Sequence, residues 1–211
     1  MIQLNKIVKY LIYSDLIFYT GWGLISPIFA LFLVDTLKLT AFVVGMAAAI
    51  NLVARSLLRV PFGMIADKSQ KKAYYFMFLG LLVSALIPVG YILSKSPWHI
   101  YLLQAVLGAG LAMSTAGWTG IFAKYMDKGK ESTEWGIDAV AVGIGPGIAG
   151  ALGGLAVTYF SFNLVFIAVT IIGLIGVFIL PLIKKDVMKN QKGTGKLFIH
   201  HEIRRLKKRF H

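Results

Sequence analysis

Apolar residues fill six long stretches of this chain, and short polar segments separate them. A helix rises about 1.5 Å per residue, so roughly 20 apolar residues are needed to cross the ~30 Å hydrocarbon core of a bilayer. The stretches are continuously apolar over about twice the ~10 residues of a β-barrel strand and lack its alternation. The pattern predicts an all-α membrane protein whose six spans lie at about 7–34, 41–66, 73–93, 98–123, 134–158 and 161–183.

Composition supports a lipid environment. Hydrophobic residues make up 57% of the 211 residues and charged residues only 15%, and the mean hydropathy is +0.74. A water-soluble globule carries more charge than this, so we expect the lipid bilayer to surround the chain. The absence of cysteine excludes disulfides and thiolate catalysis.

The net charge of +13 does not indicate nucleic-acid binding, because the basic residues lie mainly in short loops and at the C-terminal end. If the N-terminus is cytoplasmic, the cytoplasmic segments hold Lys6, Lys9, the lysines at 68–72 and 124–130, and ten basic residues from Lys184 onward. The outer loops then hold only Lys38 and Lys95. This asymmetry predicts that both termini lie in the cytoplasm, and we expect this multi-pass protein in the plasma membrane.

The sequence changes character after the spans, so we divide it into a transmembrane domain, 1–185, and a basic tail, 186–211. Apolar residues recur among the arginines and lysines after Gly195, which is compatible with a basic amphipathic helix on the membrane surface. A solvated tail is equally compatible. We predict no metal site, because His200, His201 and His211 lack carboxylate or sulfur ligands at suitable spacing.

A glycine, an acid and several lysines join the second and third spans, in the segment Gly63–Lys72. This segment resembles the loop signature of the major facilitator superfamily, and the matching residues are Gly63, Asp67, Lys68, Lys71 and Lys72. Gln70 replaces a usual glycine. In the family, the arrangement acts as a gate latch. Gly63 is expected to allow close approach of another helix, and Asp67 to accept hydrogen bonds from the N-terminal end of a neighbouring helix.

The fifth span carries a glycine-rich motif that resembles the glycine-proline motif of drug/proton antiporter branches of that superfamily. Its residues are Gly143, Gly145, Pro146, Gly147, Gly150 and Gly154. Intervals of four, three and four place Gly143, Gly147, Gly150 and Gly154 on one face, which predicts close helix packing there. Pro146 is expected to bend the helix.

The fourth span departs from the family. Gln104 stands where related transporters usually carry an arginine that is associated with proton coupling. The substitution argues against a proton-antiport mechanism. Gln104 is still able to hydrogen-bond a substrate or a neighbouring helix.

Four ionisable residues lie within or near the ends of the spans: Asp15, Arg55, Arg59 and Asp138. A charge in lipid costs about 2.5–3.5 kcal/mol, so such residues are expected to face partners or water. Helical rise places Asp15 about 12 Å and Arg55 about 16 Å from the cytoplasmic ends of their helices, so the two residues lie at similar depths. We predict two structural ion pairs, Asp15–Arg55 and Arg59–Asp138, that hold the cytoplasmic side closed. Direct substrate contact is the alternative.

The resemblance also implies a substrate cavity lined by the first and fourth spans. Aromatic and hydroxyl groups there suit amphipathic organic substrates, although they also occur as ordinary contacts between helices. The candidate lining residues are Tyr19, Trp22, Ser26, Gln104, Ser114, Thr115 and Trp118.

Members of the family normally have twelve spans in two six-helix halves, each a 3+3 inverted repeat. The chain resembles the N-terminal half, so we expect transport of a small molecule together with a second six-helix chain or a second copy. A non-transport scaffold or regulatory subunit, and a truncated transporter fragment, are the alternatives. No catalytic set converges at one depth, so neither enzyme activity nor a cofactor is expected.

Overall fold

The structure, a computed structural model, describes residues 4–189, which form helices joined by short connections. Five helices are long and apolar enough to cross a membrane, and a bent pair at the N-terminal end brings the number to six if the pair is one span. We label the helices α1 (Lys6–Ile25), α2 (Ala41–Ala66), α3 (Gln70–Ile92), α4 (Pro97–Tyr125), α5 (Glu131–Tyr159) and α6 (Phe162–Lys189). The all-α prediction is confirmed for the described part of the chain, which contains no strand.

The first span is bent, whereas the sequence predicted one continuous helix over 7–34. Helix α1 ends at Ile25, and a second part, Phe29–Thr36, continues at an angle of 42°. Pro27 lies in the break and has no backbone N–H to donate to the preceding turn, which accounts for the bend. The last helix is longer than predicted, since it continues to Lys189 beyond the expected end at 183. The amphipathic helix considered after Gly195 lies outside the described residues.

Local sequence signals explain where the helices begin. The side chain of Asn5 accepts a hydrogen bond from the Ile7 N–H at 2.9 Å, and Ser69 accepts one from the Lys72 N–H at 3.2 Å. Ser161 similarly accepts from the Leu164 N–H at 3.3 Å. Pro97 opens α4, where its missing N–H costs nothing. Each device satisfies or avoids one of the unpaired donors of a first helical turn.

The helices pack as two equivalent groups of three. Helix α1 packs against α5 and α6, and α4 packs in the same way against α2 and α3. Helices α3 and α6 contact each other and join the groups. Exchange of α1–α3 with α4–α6 leaves this set of neighbours unchanged. Because three crossings reverse the direction of the chain, helices α4–α6 are inverted relative to helices α1–α3, as in a 3+3 inverted repeat.

Small residues allow the backbones of neighbouring helices to come close. A Cβ atom on Gly80 would collide with the backbone of Gly110 and Ser114, and one on Gly117 would collide with Ala73 and Met77. Lipid chains are as apolar as the side chains, so close van der Waals packing of this kind, rather than exclusion of water, holds membrane helices together. These contacts fix α3 against α4.

Helices α2 and α5 are the least covered. Only 6% of the most apolar stretch of α2 and 11% of that of α5 are buried, compared with 44% for α3, α4 and α6. Large side chains such as Phe42, Leu57 and Ile148 are exposed along these two helices. Lipid or another protein is therefore expected to cover them.

The two ends of the described chain meet. The Lys6 Nζ lies 2.9 Å from the Asp186 Oδ2, so the start of α1 and the end of α6 are at the same end of the bundle. The α2–α3 and α4–α5 connections lie at this end too if all six spans cross. We call it the basic end, because Lys68, Lys71 and Lys72 belong to it.

Candidate functional site

The larger of two adjacent cavities lies between α1, α3, α4 and α5 and has a volume of about 360 Å³. Its lining is mainly apolar and aromatic: Phe18, Tyr19, Trp22, Gly23, Ile25, Ser26, Phe29, Tyr91, Gln104, Leu111, Val142 and Pro146. The Gln104 Nε2 donates to the Tyr91 hydroxyl at 3.3 Å, which fixes the amide at the cavity wall. This cavity suits an apolar or aromatic group.

The smaller cavity has a volume of about 230 Å³ and is polar. Residues of α1, α2, α4 and α5 line it: Asp15, Tyr19, Arg55, Arg59, Ser114, Thr115, Trp118, Thr119, Trp135, Asp138 and Val142. Tyr19 and Val142 line both cavities, so the two are neighbours. Together they form a two-part site with an aromatic end and a charged end.

The two carboxylates of the smaller cavity are buried in the bundle, whereas Arg55 is half-buried and Arg59 is exposed. Asp15 is nine residues from the start of α1 and Arg55 eleven residues from the end of α2, or about 14 and 16 Å at the helical rise. Asp15 and Asp138 are only 7% and 8% exposed. Charges at such depth are costly to hold in lipid, so their convergence on one cavity indicates a functional role.

The predicted ion pairs Asp15–Arg55 and Arg59–Asp138 are not formed. All four residues line the smaller cavity, yet the ion pairs among residues 4–189 are Lys6–Asp186 and Lys130–Asp127. The reason is the position of α2, which packs against α4 and not closely against α1 or α5. The arginines of α2 therefore border the cavity but do not form an ion pair with either carboxylate.

Aromatic contacts position the indole of Trp118 at the smaller cavity. Its ring stacks on Phe122 at a centroid distance of 4.3 Å, and Trp135 packs against it at 5.6 Å. Nearby, the hydroxyls of Thr115 and Thr119 each donate to a backbone carbonyl of α4 at 2.7 Å. These hydroxyl protons are engaged, so the two threonines offer acceptor oxygens to a ligand.

All seven residues that we expected to line a substrate cavity border one of the two. Tyr19, Trp22, Ser26 and Gln104 border the larger cavity, and Tyr19, Ser114, Thr115 and Trp118 the smaller one. Sequence reasoning missed Tyr91 and Trp135. Trp135 lies one helical turn before Asp138 on α5. Residues three or four positions apart share a helix face, and this spacing, which also groups Arg55 with Arg59, would have indicated Trp135. Tyr91 belongs to α3, and nothing in its sequence context indicates a cavity.

The glycine-rich motif of α5 packs through a different face from the one predicted. A Cβ atom on Gly143, Gly147 or Gly154 would meet no atom within 4 Å, and one on Gly150 would make only ordinary contacts. The close contacts to α1 are made by Gly145 and Gly153, and the buried Ala141 and Ala149 alternate with them at intervals of four. Small residues occur on both faces of this helix, and tertiary packing selects one of them. Pro146 lies inside the helix and against Gly23 of α1.

The loop motif is open to its surroundings. Nothing lies within 4 Å of a Cβ atom placed on Gly63, so the expected close approach of a helix is not found within the described chain. Asp67 is the cap residue directly after α2, is exposed, and accepts no hydrogen bond from residues 4–189. Lys68 follows it, and Lys71 and Lys72 are exposed in the first turn of α3.

Residues 4–189 contain no group of three or more histidine, aspartate or glutamate side chains placed to hold a metal ion.

A family model described as Major Facilitator Superfamily matches residues 12–210. Comparison with curated proteins gave no match.

Proposed function

Because the chain belongs to the major facilitator superfamily, we propose that it transports a small molecule across a membrane and holds it in the two adjacent cavities. The observation that supports this proposal is the convergence of Asp15, Arg55, Arg59 and Asp138, from three helices, on one polar cavity at membrane depth. A packing module of lipid-facing helices has no need to retain four charged groups there. Inverted repeats that meet around a central site are the usual plan of secondary transporters.

A second six-helix unit completes the transporter in this proposal. It covers α2 and α5, whose apolar faces are the least buried, and it thereby closes the side of the cavities that these helices border. The unit is another chain or a second copy of this one. Its helix N-terminus is a suitable donor for the Asp67 carboxylate, and open space over Gly63 leaves room for it.

We also propose that the basic end faces the cytoplasm and that the membrane is the plasma membrane. The lysines of the α2–α3 and α4–α5 connections outnumber Lys38 and Lys95 at the opposite end. Positively charged loops of this length remain on the cytoplasmic side during insertion.

Flux in proteoliposomes tests the transport proposal. The purified full chain is reconstituted and offered labelled amino acids, sugars, organic anions and lipophilic amines in turn. We expect time-dependent flux of at least one class, a loss of at least tenfold in Asp15→Asn and Asp138→Asn, and unchanged flux in Asp186→Asn, which alters an exposed carboxylate. Absence of flux for every class, with or without a second six-helix chain, would contradict the proposal.

Co-purification tests the second unit. Two differently tagged copies are expressed together, extracted and captured on one tag. If a second copy covers α5, the Gly147→Leu variant should reduce recovery of the other tag at least fivefold, because a large side chain would fill the open space at this glycine. A substitution of Gly145 is not a suitable control, because this glycine faces α1. The control is Leu79→Ala, which changes an exposed side chain on α3. Equal recovery in all samples would contradict a second copy on this face.

A further inference from the structure

Two buried polar atoms at the smaller cavity have no hydrogen-bond partner in the described part of the chain. They are the Asp138 Oδ1 and the Trp118 Nε1, in residues only 8% and 6% exposed. A buried polar group without a partner destabilises a protein, so such groups are normally hydrogen-bonded. One of these atoms accepts a hydrogen bond and the other donates one. A ligand that satisfies both must itself carry a donor and an acceptor.

The charges of the cavity are separated by helix. Arg55 and Arg59 come from α2, while Asp15 and Asp138 come from α1 and α5. No ion pair joins the two sets among the residues that the structure describes. The cavity therefore offers carboxylates on one side and guanidinium groups on another. A ligand with a cationic and an anionic group matches this arrangement, since each of its charges meets an opposite one.

The size of the cavities limits the ligand. A volume of about 230 Å³ is below the ~300–1,000 Å³ of pockets that enclose drug-sized ligands, so the polar cavity holds only a small head group. The adjacent cavity of about 360 Å³ is lined in part by Phe18, Trp22 and Phe29, and it shares Tyr19 and Val142 with the polar cavity. An apolar or aromatic side group fits there.

We infer that the ligand is a small zwitterion with an apolar or aromatic side group. Its ammonium group binds Asp138 and Asp15, and its carboxylate accepts hydrogen bonds from Arg55 and the Trp118 indole. The side group lies in the aromatic cavity. This inference rests on the proposed transport function and names the class of substrate for the same site.

Binding to the purified full chain in detergent tests the inference with four probes. L-Phenylalanine carries both charges and a ring, phenethylamine lacks the carboxylate, 3-phenylpropionate lacks the ammonium group, and glycine lacks the ring. We expect phenylalanine to bind at least tenfold more tightly than each of the others. Equal binding of phenethylamine would overturn the inference in favour of a cation site, and equal binding of 3-phenylpropionate would overturn it in favour of an anion site.

Variants assign each charge to its side chain. Asp138→Asn should weaken the binding of phenylalanine and phenethylamine at least tenfold and leave the binding of 3-phenylpropionate unchanged. Arg55→Gln should weaken the binding of phenylalanine and 3-phenylpropionate and leave the binding of phenethylamine unchanged. Trp118→Phe keeps a ring against Phe122 and removes only the N–H, so it should weaken the binding of phenylalanine and of 3-phenylpropionate about threefold to tenfold. A uniform loss for all probes in variants with unchanged thermal unfolding would overturn the assignment.

The flux experiment separates this inference from the proposed function. Flux of another solute class without binding of phenylalanine would overturn the zwitterion inference and leave transport standing. Selective binding of phenylalanine with the expected variant pattern, but without flux of any solute, would support the site and contradict transport.

Discussion

The backbone of Pro146 in α5 lies directly against Gly23 in α1. A Cβ atom at Gly23 would lie 2.5 Å from the Pro146 Cα and 2.6 Å from its carbonyl oxygen, so a hydrogen is the only substituent that fits. Both residues also line the larger cavity. The contact that fixes α5 against α1 is thus part of the proposed substrate site.

We expect Gly23→Ala to destabilise the protein by about 1–3 kcal/mol, the usual cost of an overpacked contact, because neither backbone is able to yield. Thermal unfolding of the purified protein in detergent, followed by circular dichroism, measures the change. Gly147→Ala is the matched control: it adds the same methyl group in open space on α5. Its midpoint should be equal to or above that of the unchanged protein, and a larger loss in this control than in Gly23→Ala would contradict the packing described.

The Gln104–Tyr91 hydrogen bond allows a second prediction. Both residues are buried, and Tyr91→Phe would remove the acceptor of the Gln104 side-chain N–H. An unsatisfied buried donor costs about 1–3 kcal/mol, so the single variant should be less stable. Gln104→Leu in the same background removes the donor as well and should restore part of the loss. Additive effects in a double-mutant cycle would show that the two side chains do not interact.

The proximity of Lys6 and Asp186 is open to cross-linking, because the chain has no cysteine of its own. Lys6→Cys combined with Asp186→Cys should be joined by a short bismaleimide, since the native side chains are 2.9 Å apart. Lys6→Cys combined with Lys95→Cys serves as a control, because a bundle of spans puts about 30 Å between these ends. Mass spectrometry of the digested protein identifies the products. Linkage of the control pair alone would contradict a six-span bundle.

The helices themselves were accessible from the sequence because a single property, continuous apolarity over the thickness of a bilayer, determines them. The bend at Pro27 was not predicted, although proline is a local signal, because three other prolines lie inside uninterrupted helices: Pro61, Pro88 and Pro146. Whether a helix breaks at proline depends on the helices that pack against it, and these are not evident from the sequence.

The site was predictable in its depth and less so in its lateral arrangement. Helical rise correctly put Asp15 and Arg55 at similar depths, and both border one cavity. The predicted ion pairs were wrong because the lateral distance between the arginines of α2 and the carboxylates of α1 and α5 depends on how α2 packs. The residues of α2 alone do not specify this packing. The same limit applies to α5, where glycines on two faces were available and contact with α1 selected Gly145 and Gly153. The drug/proton antiporter branch remains a prediction.

The proposed orientation is testable by labelling from one side of the membrane. Lys38, Lys68, Lys95 and Lys128 are all exposed, so single replacements by cysteine should react equally well once cells are permeabilised. In intact cells, an impermeant maleimide should label only Lys38→Cys and Lys95→Cys, because these positions follow odd-numbered spans and the other two follow even-numbered spans. The reverse pattern would invert the protein in the membrane. Labelling of Lys38→Cys and Lys68→Cys together would mean that α2 does not cross, and the shared cavity of Arg55 and Asp15 would then lose its structural basis.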